Sequence, residues 1–249
     1  MILLIVIVAL AVSTGLYLAF RETLSPNARI RKVYDFLRGE NPYTDSRVSA
    51  LTHCGDAPFM LPTSGLVGFL WDDSFRPGHR HQGIDIFAGT EVGVMPVYAA
   101  YDGYLTRQSD WKSSVIIRIP EDPLQPDRQI WTYYTHMADQ QGNSFIDAAF
   151  PPGTEETFVT AGTLLGYQGN YSGAPGNPTG VHLHFSIVKS DADGHFLNEL
   201  DIRNTLDPSP YLGLPLNGKE NETEIPVCPA SLSQPKRINR IMNAENSVQ

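Results

Sequence analysis

The sequence is short of cysteine and of positive charge. Its 249 residues include two cysteines, Cys54 and Cys228, and neither belongs to a CxxC pair, which disfavours metal binding by the two thiols. Lys and Arg total 18 against 27 Asp and Glu, so the net charge of −9 offers a polyanion no electrostatic attraction and nucleic acid is not an expected partner. No internal repeat is evident, and the composition excludes collagen-like and disordered chains.

What is present suits a single globular domain with appendages. The chain is 41% hydrophobic and 18% charged, and it is longer than the usual domain of roughly 150 residues. Its 21 glycines and 19 prolines are numerous for a helical bundle and favour short strands joined by turns. The composition therefore predicts a mostly β protein.

The first twenty residues form an uncharged apolar run, MILLIVIVALAVSTGLYLAF. A helix of about 20 residues can cross a bilayer, and a buried core helix of that length would normally carry a polar face. Residues 1–20 are therefore predicted to form an N-terminal transmembrane anchor. A cleaved signal remains the alternative, because Ser13, Thr14 and Gly15 provide small residues for a cleavage site.

The charges around this run conflict with an exported domain. No Lys or Arg precedes it, whereas Arg21, Arg29, Arg31 and Lys32 follow it. By the positive-inside rule the body of the protein would stay in the cytoplasm. A strongly translocated domain, or a basic leader removed by a misassigned start codon, would resolve the conflict, and the sequence does not choose between them.

The remaining chain divides into three segments. Residues 21–61 are predicted to form a juxtamembrane helix, from Asn27 to about Leu37, followed by a connecting linker without a core of its own. Residues 62–217 form the globular body, and residues 218–249 form a polar, loosely ordered tail. Cys54 and Cys228 could form a disulfide between linker and tail, which would imply an oxidising compartment, or remain two buried thiols.

The globular body shows a repeated strand and turn pattern, typical of antiparallel β-sheet. The predicted strand segments are GIDIFA, VYAA, YLTR, SVIIRI, QIWTYYTH, TLLGYQG and VHLHFSIV. Residues 138–157 interrupt this pattern and are predicted to be an inserted surface loop beside a cleft. Four aromatic residues could line a groove for an extended peptide or simply pack in the sheet: Trp111, Trp131, Tyr133 and Tyr171.

Two histidine patterns suggest a metal site. Residues two apart in a strand point to the same face, so His182 and His184 should project together while Leu183 points into the core. In a straight strand His81 and Asp85 would stand about 13 Å apart, so they can share an ion only if the chain bends near Gly83. Two imidazole nitrogens and one carboxylate oxygen would suit zinc with an open fourth position.

The motifs HRHQGIDIF, WTYYTHM, GYQGN, TGVHLHFSI and DPSPYL occur in this order between about residues 62 and 212. In this respect the chain resembles the lysostaphin-like (LytM-type) zinc metallopeptidase family of peptidoglycan endopeptidases. The resemblance implies an antiparallel β-sheet or sandwich peptidase domain of the duplicated hybrid motif type. It also implies a location at the bacterial cell membrane, with one membrane pass and the catalytic domain outside the cytoplasm.

The resemblance also implies roles for individual residues. His81, Asp85 and His184 would bind one zinc ion per chain, and His136 and His182 would be the catalytic pair that does not bind metal. The substrate would be the peptide stems or cross-links of peptidoglycan, hydrolysed by metal-activated water. The division of labour between His136 and His182 stays open.

Two other functions compete with this interpretation. A membrane-anchored, non-catalytic module could use the same cleft for wall binding or regulation, although no ligand position is lost here. A structural zinc site is disfavoured, because such sites usually have four protein ligands. The sequence identifies neither the bond cleaved nor the oligomeric state, and it leaves a protein activator unknown.

Overall fold

The structure is a computed structural model that describes residues 28–74 and 78–228. Most regular elements are β-strands, as predicted. The described residues also form two α-helices, α1 (Ala28–Leu37) and α2 (Ser209–Leu212), and two short 3₁₀ helices, Thr44–Ser46 and Ile202–Asn204. The strands are β1 (Leu66–Val67), β2 (Ile84–Phe87), β3 (Pro96–Tyr98), β4 (Gly103–Arg107), β5 (Val115–Ile119), β6 (Ile130–Thr135), β7 (Thr154–Val159), β8 (Leu164–Tyr167), β9 (Leu183–Lys189) and β10 (Thr205–Leu206).

The predicted anchor of residues 1–20 and the last residues of the tail, 229–249, lie outside the described residues. Within the two described ranges, neither helix has the length and apolar character required to cross a bilayer. The helix expected from Asn27 to about Leu37 is observed as α1, whose buried face includes Ile30, Val33 and Phe36.

Eight strands form one antiparallel sheet, and β3 pairs with β8 in a small second sheet. The order of the large sheet is β1-β2-β9-β6-β5-β4-β7, and β10 pairs with β9. The central strands β2, β9 and β6 are buried along most of their length, because apolar residues alternate with polar ones that face a cleft rather than open solvent. This arrangement places His184 on the central strand β9 and His182 directly before it.

The prediction of a surface loop at residues 138–157 is partly wrong, because the end of this segment forms the edge strand β7, which pairs with β4. Apart from Val159, the β7 side chains are exposed or half-exposed, so no alternation of apolar residues marks the strand in the sequence. The loop was also expected near the cleft. None of residues 138–157 lines the cleft that the described residues form, but the loop lies next to it, since a Cβ added at Gly142 would be 2.8 Å from Lys112 and 3.2 Å from Tyr171, which do line it.

The linker and the tail contribute buried residues to the hydrophobic core, which was not predicted. Val48, Phe59 and Leu61 of the linker are buried in the main hydrophobic core. Cys54 and Cys228 form a disulfide between residues 174 positions apart, which answers the question that the sequence left open. The buried apolar residues of the linker and tail occur singly between turns, without helical or strand periodicity. The sequence pattern therefore did not indicate that these segments pack against the domain.

The first part of the tail packs against helix α1. Ile225 is buried in a cluster with Val33, Phe36 and Phe87, and Lys32 pairs with Glu224 at 3.2 Å. Residues 218–228 are therefore ordered on the domain, contrary to the prediction of a loosely ordered tail from residue 218.

A buried arginine joins helix α1, the tail and the loop that precedes the HQGID segment. The Arg29 guanidinium is fully buried, donates to the Gly68 and Asn221 carbonyl oxygens, and pairs with the Asp73 carboxylate. Asp73 Oδ2 in turn accepts from the Leu70 backbone N–H at 2.6 Å. This network fixes helix α1 to the loop of Gly68 to Asp73. The Asp73 carbonyl oxygen accepts from the His81 N–H, so the same loop also positions His81.

Replacing Arg29 by alanine should destabilise the protein strongly, because it leaves the Asp73 carboxylate buried without its charged partner. Breaking a buried ion pair from one side typically costs about 3–5 kcal/mol. Urea unfolding of the full chain measures the loss. Arg31→Ala is the matched control, since Arg31 is exposed on the same helix and should change the free energy of unfolding by less than about 0.5 kcal/mol. Equal effects of the two variants would contradict the assignment.

Candidate metal centre

The pairing of β2 with β9 brings the first two site residues together. Asp85 on β2 lies directly opposite His184 on β9, and the Asp85 Oδ1 to His184 Nδ1 distance is 2.8 Å. His182 precedes β9 and faces the same site, with its Nε2 3.6 Å from Asp85 Oδ1, while Leu183 between the two histidines is fully buried. The predicted division of faces is confirmed.

The chain bends at Gly83, as predicted, and the bend carries His81 back towards Asp85. His81 Nε2 lies 3.2 Å from Asp85 Oδ1. Any side chain at position 83 would collide with β9, because an added Cβ would lie 2.3 Å from the Phe185 carbonyl oxygen. Glycine is therefore needed here for the close approach of two backbones.

The three donor atoms form a nearly regular triangle. His81 Nε2, Asp85 Oδ1 and His184 Nδ1 are separated by 2.8, 3.1 and 3.2 Å. With bonds of about 2.0–2.1 Å, the ligand atoms around a tetrahedral zinc ion lie roughly 3.3 Å apart. All three residues are buried, and the two nitrogens and one oxygen are a set that can hold a metal ion.

The outward nitrogens of the two metal-facing imidazoles are already hydrogen-bonded. His81 Nδ1 donates to the Leu70 carbonyl oxygen at 2.9 Å, and His184 Nε2 lies 2.9 Å from Glu199 Oε1. Each contact fixes the ring orientation and directs the other nitrogen, His81 Nε2 or His184 Nδ1, into the triangle. This is the usual support of metal-binding histidines.

His136 and His182 stand beside the triangle and are held in the same way. His136 Nδ1 donates to the Tyr171 carbonyl oxygen at 2.6 Å, and His182 Nδ1 donates to the Gly180 carbonyl oxygen at 2.7 Å. Their ring centroids are 4.5 Å apart. Both Nδ1 atoms carry the proton, so both Nε2 atoms are acceptors when the rings are neutral.

Burial keeps these two imidazoles neutral at neutral pH. It lowers the pKa of His136 to about 3, and the neighbouring His182 and His184 add to the effect. Burial also lowers the pKa of His182, although the Asp85 carboxylate and the Gly180 carbonyl oppose the shift. Two neutral, hydrogen-bonded imidazoles can accept a proton during a reaction.

His136 also has an uncommon backbone conformation. It directly follows β6 with a φ of 71°, in the left-handed region that residues with a side chain rarely adopt. Its carbonyl oxygen accepts from the Ala138 backbone N–H at 2.8 Å, which holds the turn. Backbone strain of this kind is typical of functional sites.

The charged groups of the triangle depend on one another. Burial alone would raise the pKa of Asp85, but His81, His182 and His184 hold it well below the usual range, so Asp85 is an anion. Burial alone would lower the pKa of His184, whereas its hydrogen bonds to Asp85 and Glu199 raise it to about 10. A proton on His184 thus occupies the position that a metal ion would take on Nδ1.

Glu199 lines the same cleft and was missed by the sequence analysis. It is buried, faces His184 Nε2, and accepts from Ser186 Oγ at 3.2 Å. Burial opposes its ionisation, but the hydrogen bond and charge of His184 lower the pKa of the carboxyl. Glu199 lies in a polar turn 15 residues after His184, and no spacing rule connects the two.

Aromatic residues flank the site within one cleft. Trp111, Tyr133 and Tyr171 line it, as considered from the sequence. Trp131 lies on the same face of the sheet but farther along the strand, where it packs with Ile116 and Val188 outside the cleft. The five predicted site residues, His81, Asp85, His136, His182 and His184, all face this same cleft.

Replacing Glu199 should weaken metal binding, because His184 would lose the acceptor that orients its ring. Loss of such an outer contact typically weakens metal affinity by about 10–100-fold. Competition against a chromophoric zinc chelator would measure the dissociation constant of zinc for Glu199→Ala and Glu199→Gln. Glu155→Gln, which changes an exposed carboxylate, is the control. An unchanged zinc affinity in Glu199→Ala would show that Glu199 does not position His184.

No protein-family model and no curated protein matches the chain. Among solved structures, it matches lysostaphin from Staphylococcus simulans at 23% identity and a TM-score of 0.34, over 53% of this chain and 44% of that one. The isolated catalytic domain of lysostaphin matches at 18% identity and a TM-score of 0.37, over 65% of this chain and 99% of that domain. A third match is a mutant catalytic domain of the prophage-encoded M23 protein EnpA from Enterococcus faecalis. The identity is 25% and the TM-score 0.34, over 59% of this chain and 92% of that domain.

The chain spans less than half of the first lysostaphin structure, and all of these TM-scores are below 0.5. The function of the protein is therefore inferred from the site itself. In its motifs, and among the solved structures that it matches, the chain resembles the lysostaphin-like peptidases.

Proposed function

We propose that the protein is a zinc-dependent endopeptidase that hydrolyses peptide bonds of bacterial peptidoglycan. The observation that carries the proposal is the buried triangle of His81 Nε2, Asp85 Oδ1 and His184 Nδ1 beside two further imidazoles. Three protein ligands with no fourth are typical of catalytic zinc sites, because the open position takes water or substrate.

The metal-binding residues would be His81, Asp85 and His184, holding one zinc ion per chain. When bound, zinc supplies a Lewis acid that acidifies water and polarises a carbonyl oxygen. Asp85 contributes one negative charge to the ion directly, and Glu199 contributes a second through His184. These two carboxylates match the charge of a divalent cation.

The remaining histidines would move the proton and bind the developing oxyanion. Either His136 Nε2 or His182 Nε2 accepts the proton of the attacking water and later delivers it to the leaving amine. While it holds that proton, the same ring can donate a hydrogen bond to the oxyanion, and the other ring, which stays neutral, accepts a hydrogen bond through its Nε2 from the attacking water. Their neutral state supports this role, and a positioned acid–base group contributes about 10²–10⁴-fold to rate. The two tasks are not divided further between His136 and His182.

The proposed substrates are the peptide stems or cross-links of peptidoglycan. The motif order supports this choice, and an open cleft with aromatic side chains is suited to an extended peptide. Non-catalytic wall binding or regulation by the same cleft is the alternative function. The complete set of five site residues favours the enzyme.

We also propose that residues 1–20 anchor the protein in the bacterial membrane, in a single pass, with the catalytic domain outside the cytoplasm. The length and apolar character of this run support an anchor, and a cleaved signal is the alternative. The Cys54–Cys228 disulfide supports an oxidising compartment, since such bonds persist outside the cytoplasm.

Separating the metal ligand from the proton-transfer residue tests the mechanism. His184→Ala should lose both zinc and activity, whereas His182→Ala should keep zinc and lose activity. The assay measures new amino groups released from purified peptidoglycan by the full chain, with and without a chelator, together with bound zinc. A zinc-loaded, folded wild-type protein that releases no amino groups would favour the binding module. Activity in both variants would refute the residue assignment.

The proposed location can be tested with a reporter fused after Gln249. An alkaline phosphatase reporter, which works only outside the cytoplasm, should be active. A cytoplasmically active reporter fused at the same position is the control and should be silent. The opposite pattern would agree with the positive charges that follow the apolar run and would argue against a peptidoglycan substrate.

A further inference from the structure

Helix α1 presents apolar side chains to the cleft although it precedes the predicted peptidase domain. Tyr34 and Leu37 are 43% and 42% exposed, and both line the cleft that holds the five site residues. Large apolar side chains at the rim of a binding cleft are candidates for ligand contact.

The helix is held rigidly enough to act as a wall. Its opposite face is fixed by the buried Arg29, which pairs with Asp73, and by Val33 and Phe36, which pack with Phe87. Because this face is buried against the domain, the helix cannot move independently of it. The positions of Tyr34 and Leu37 relative to the cleft are therefore fixed.

Tyr34 begins a continuous row of aromatic contacts that ends at the site. Its ring centroid is 6.4 Å from that of Phe69, which is 5.7 Å from Phe87, and Phe87 stacks on His182 at 4.9 Å. This row places an apolar surface next to one of the two proposed proton-transfer residues.

Leu37 reaches the segment that holds the same histidine. A Cβ added to Gly180 would lie 3.7 Å from Leu37 Cδ2, and the Gly180 carbonyl oxygen accepts from His182 Nδ1. A peptide bound across His182 would therefore pass beside Leu37.

The part of the cleft near His136 is different in chemistry. Tyr171, whose carbonyl binds His136, lies under the Lys112 ammonium, 5.9 Å from ring centroid to Nζ. Lys112, Asp110, Ser113 and Ser114 all line the cleft, so polar groups are concentrated there. Of the two proton-transfer residues, only His182 has the apolar row beside it.

From these contacts we propose that helix α1 is a specificity wall: Tyr34 and Leu37 bind an apolar side chain of the peptide substrate beside the scissile bond, on the His182 side. The inference rests on the proposed peptidase function and deepens it. The substrate class is a peptide with a methyl-bearing or larger side chain at that position, in preference to one made only of glycine.

Kinetics on matched peptides test the wall. The probes are synthetic pentaglycine and its single-alanine variants, each assayed with the full, zinc-loaded chain. The wild type should prefer the best alanine peptide over pentaglycine by about 10-fold in kcat/KM, the lower end of what one buried methyl group provides. Leu37→Ser and Tyr34→Ser should reduce this preference to less than about 3-fold, mainly by raising KM.

The controls separate substrate contact from a structural effect. Leu37→Met should retain the preference because it restores apolar contact. Arg31→Ala, on an exposed position of α1 that does not line the cleft, should behave as the wild type. Bound zinc and the unfolding midpoint should be the same in all variants. An alanine preference that survives in both serine variants would overturn the proposal.

A binding measurement distinguishes failure of the wall from failure of the proposed chemistry. Calorimetric titration of the same peptides into zinc-loaded His182→Ala, with and without Leu37→Ser, needs no turnover. Tighter binding of the alanine peptide that is lost on Leu37→Ser supports the wall, even if the wild type hydrolyses no peptide. Equal binding of both peptides, together with rapid hydrolysis by the wild type, would leave the peptidase standing and refute the wall.

Discussion

The close antiparallel pairing of β2 with β9 determines where the functional side chains lie. Asp85 and His184 are directly opposite residues of this pair, so their separation is fixed by the backbone hydrogen bonds and not by side-chain flexibility. The pairing is possible only because Gly83 lets the Phe185 carbonyl approach. The same glycine starts the bend that returns His81 to the site. A single backbone contact thus assembles all three metal-facing donors.

Charge balance explains why the site is stable while so much of it is buried. Two carboxylates, Asp85 and Glu199, flank His184 on opposite ring nitrogens. Buried carboxylates are costly unless a positive charge compensates them, and hydrogen bonds to both carboxylates raise the pKa of His184, which favours its positively charged form. A divalent cation on His184 Nδ1 would replace that proton and neutralise both carboxylates. Metal binding at this triangle would therefore be coupled to release of the His184 Nδ1 proton.

The sequence predicted the parts of the molecule that follow a regular period or a local spacing. The strand alternation placed His182 and His184 on one face, and the spacing in HQGID required the observed bend. Elements without a period were missed or misjudged, namely the polar edge strand β7 and the isolated core residues of the linker. Glu199 was missed because a turn 15 residues away reaches His184 only through tertiary folding. The proximity of His81, Asp85 and His184 was predictable from the sequence, and the contact of Glu199 with His184 was not.

The most consequential difference concerns helix α1, which the sequence suggested was only a connection to a membrane. Arg29 links it to Asp73, whose backbone carbonyl oxygen accepts from the His81 N–H at 2.8 Å. The helix therefore supports the loop before a metal-facing histidine and, through Leu37, reaches the segment that holds His182. A chain cut between α1 and the sheet would lose a wall of the cleft and expose the buried Asp73 carboxylate. The folded unit that carries the cleft therefore includes α1, which lies ahead of the boundary that the motifs indicate.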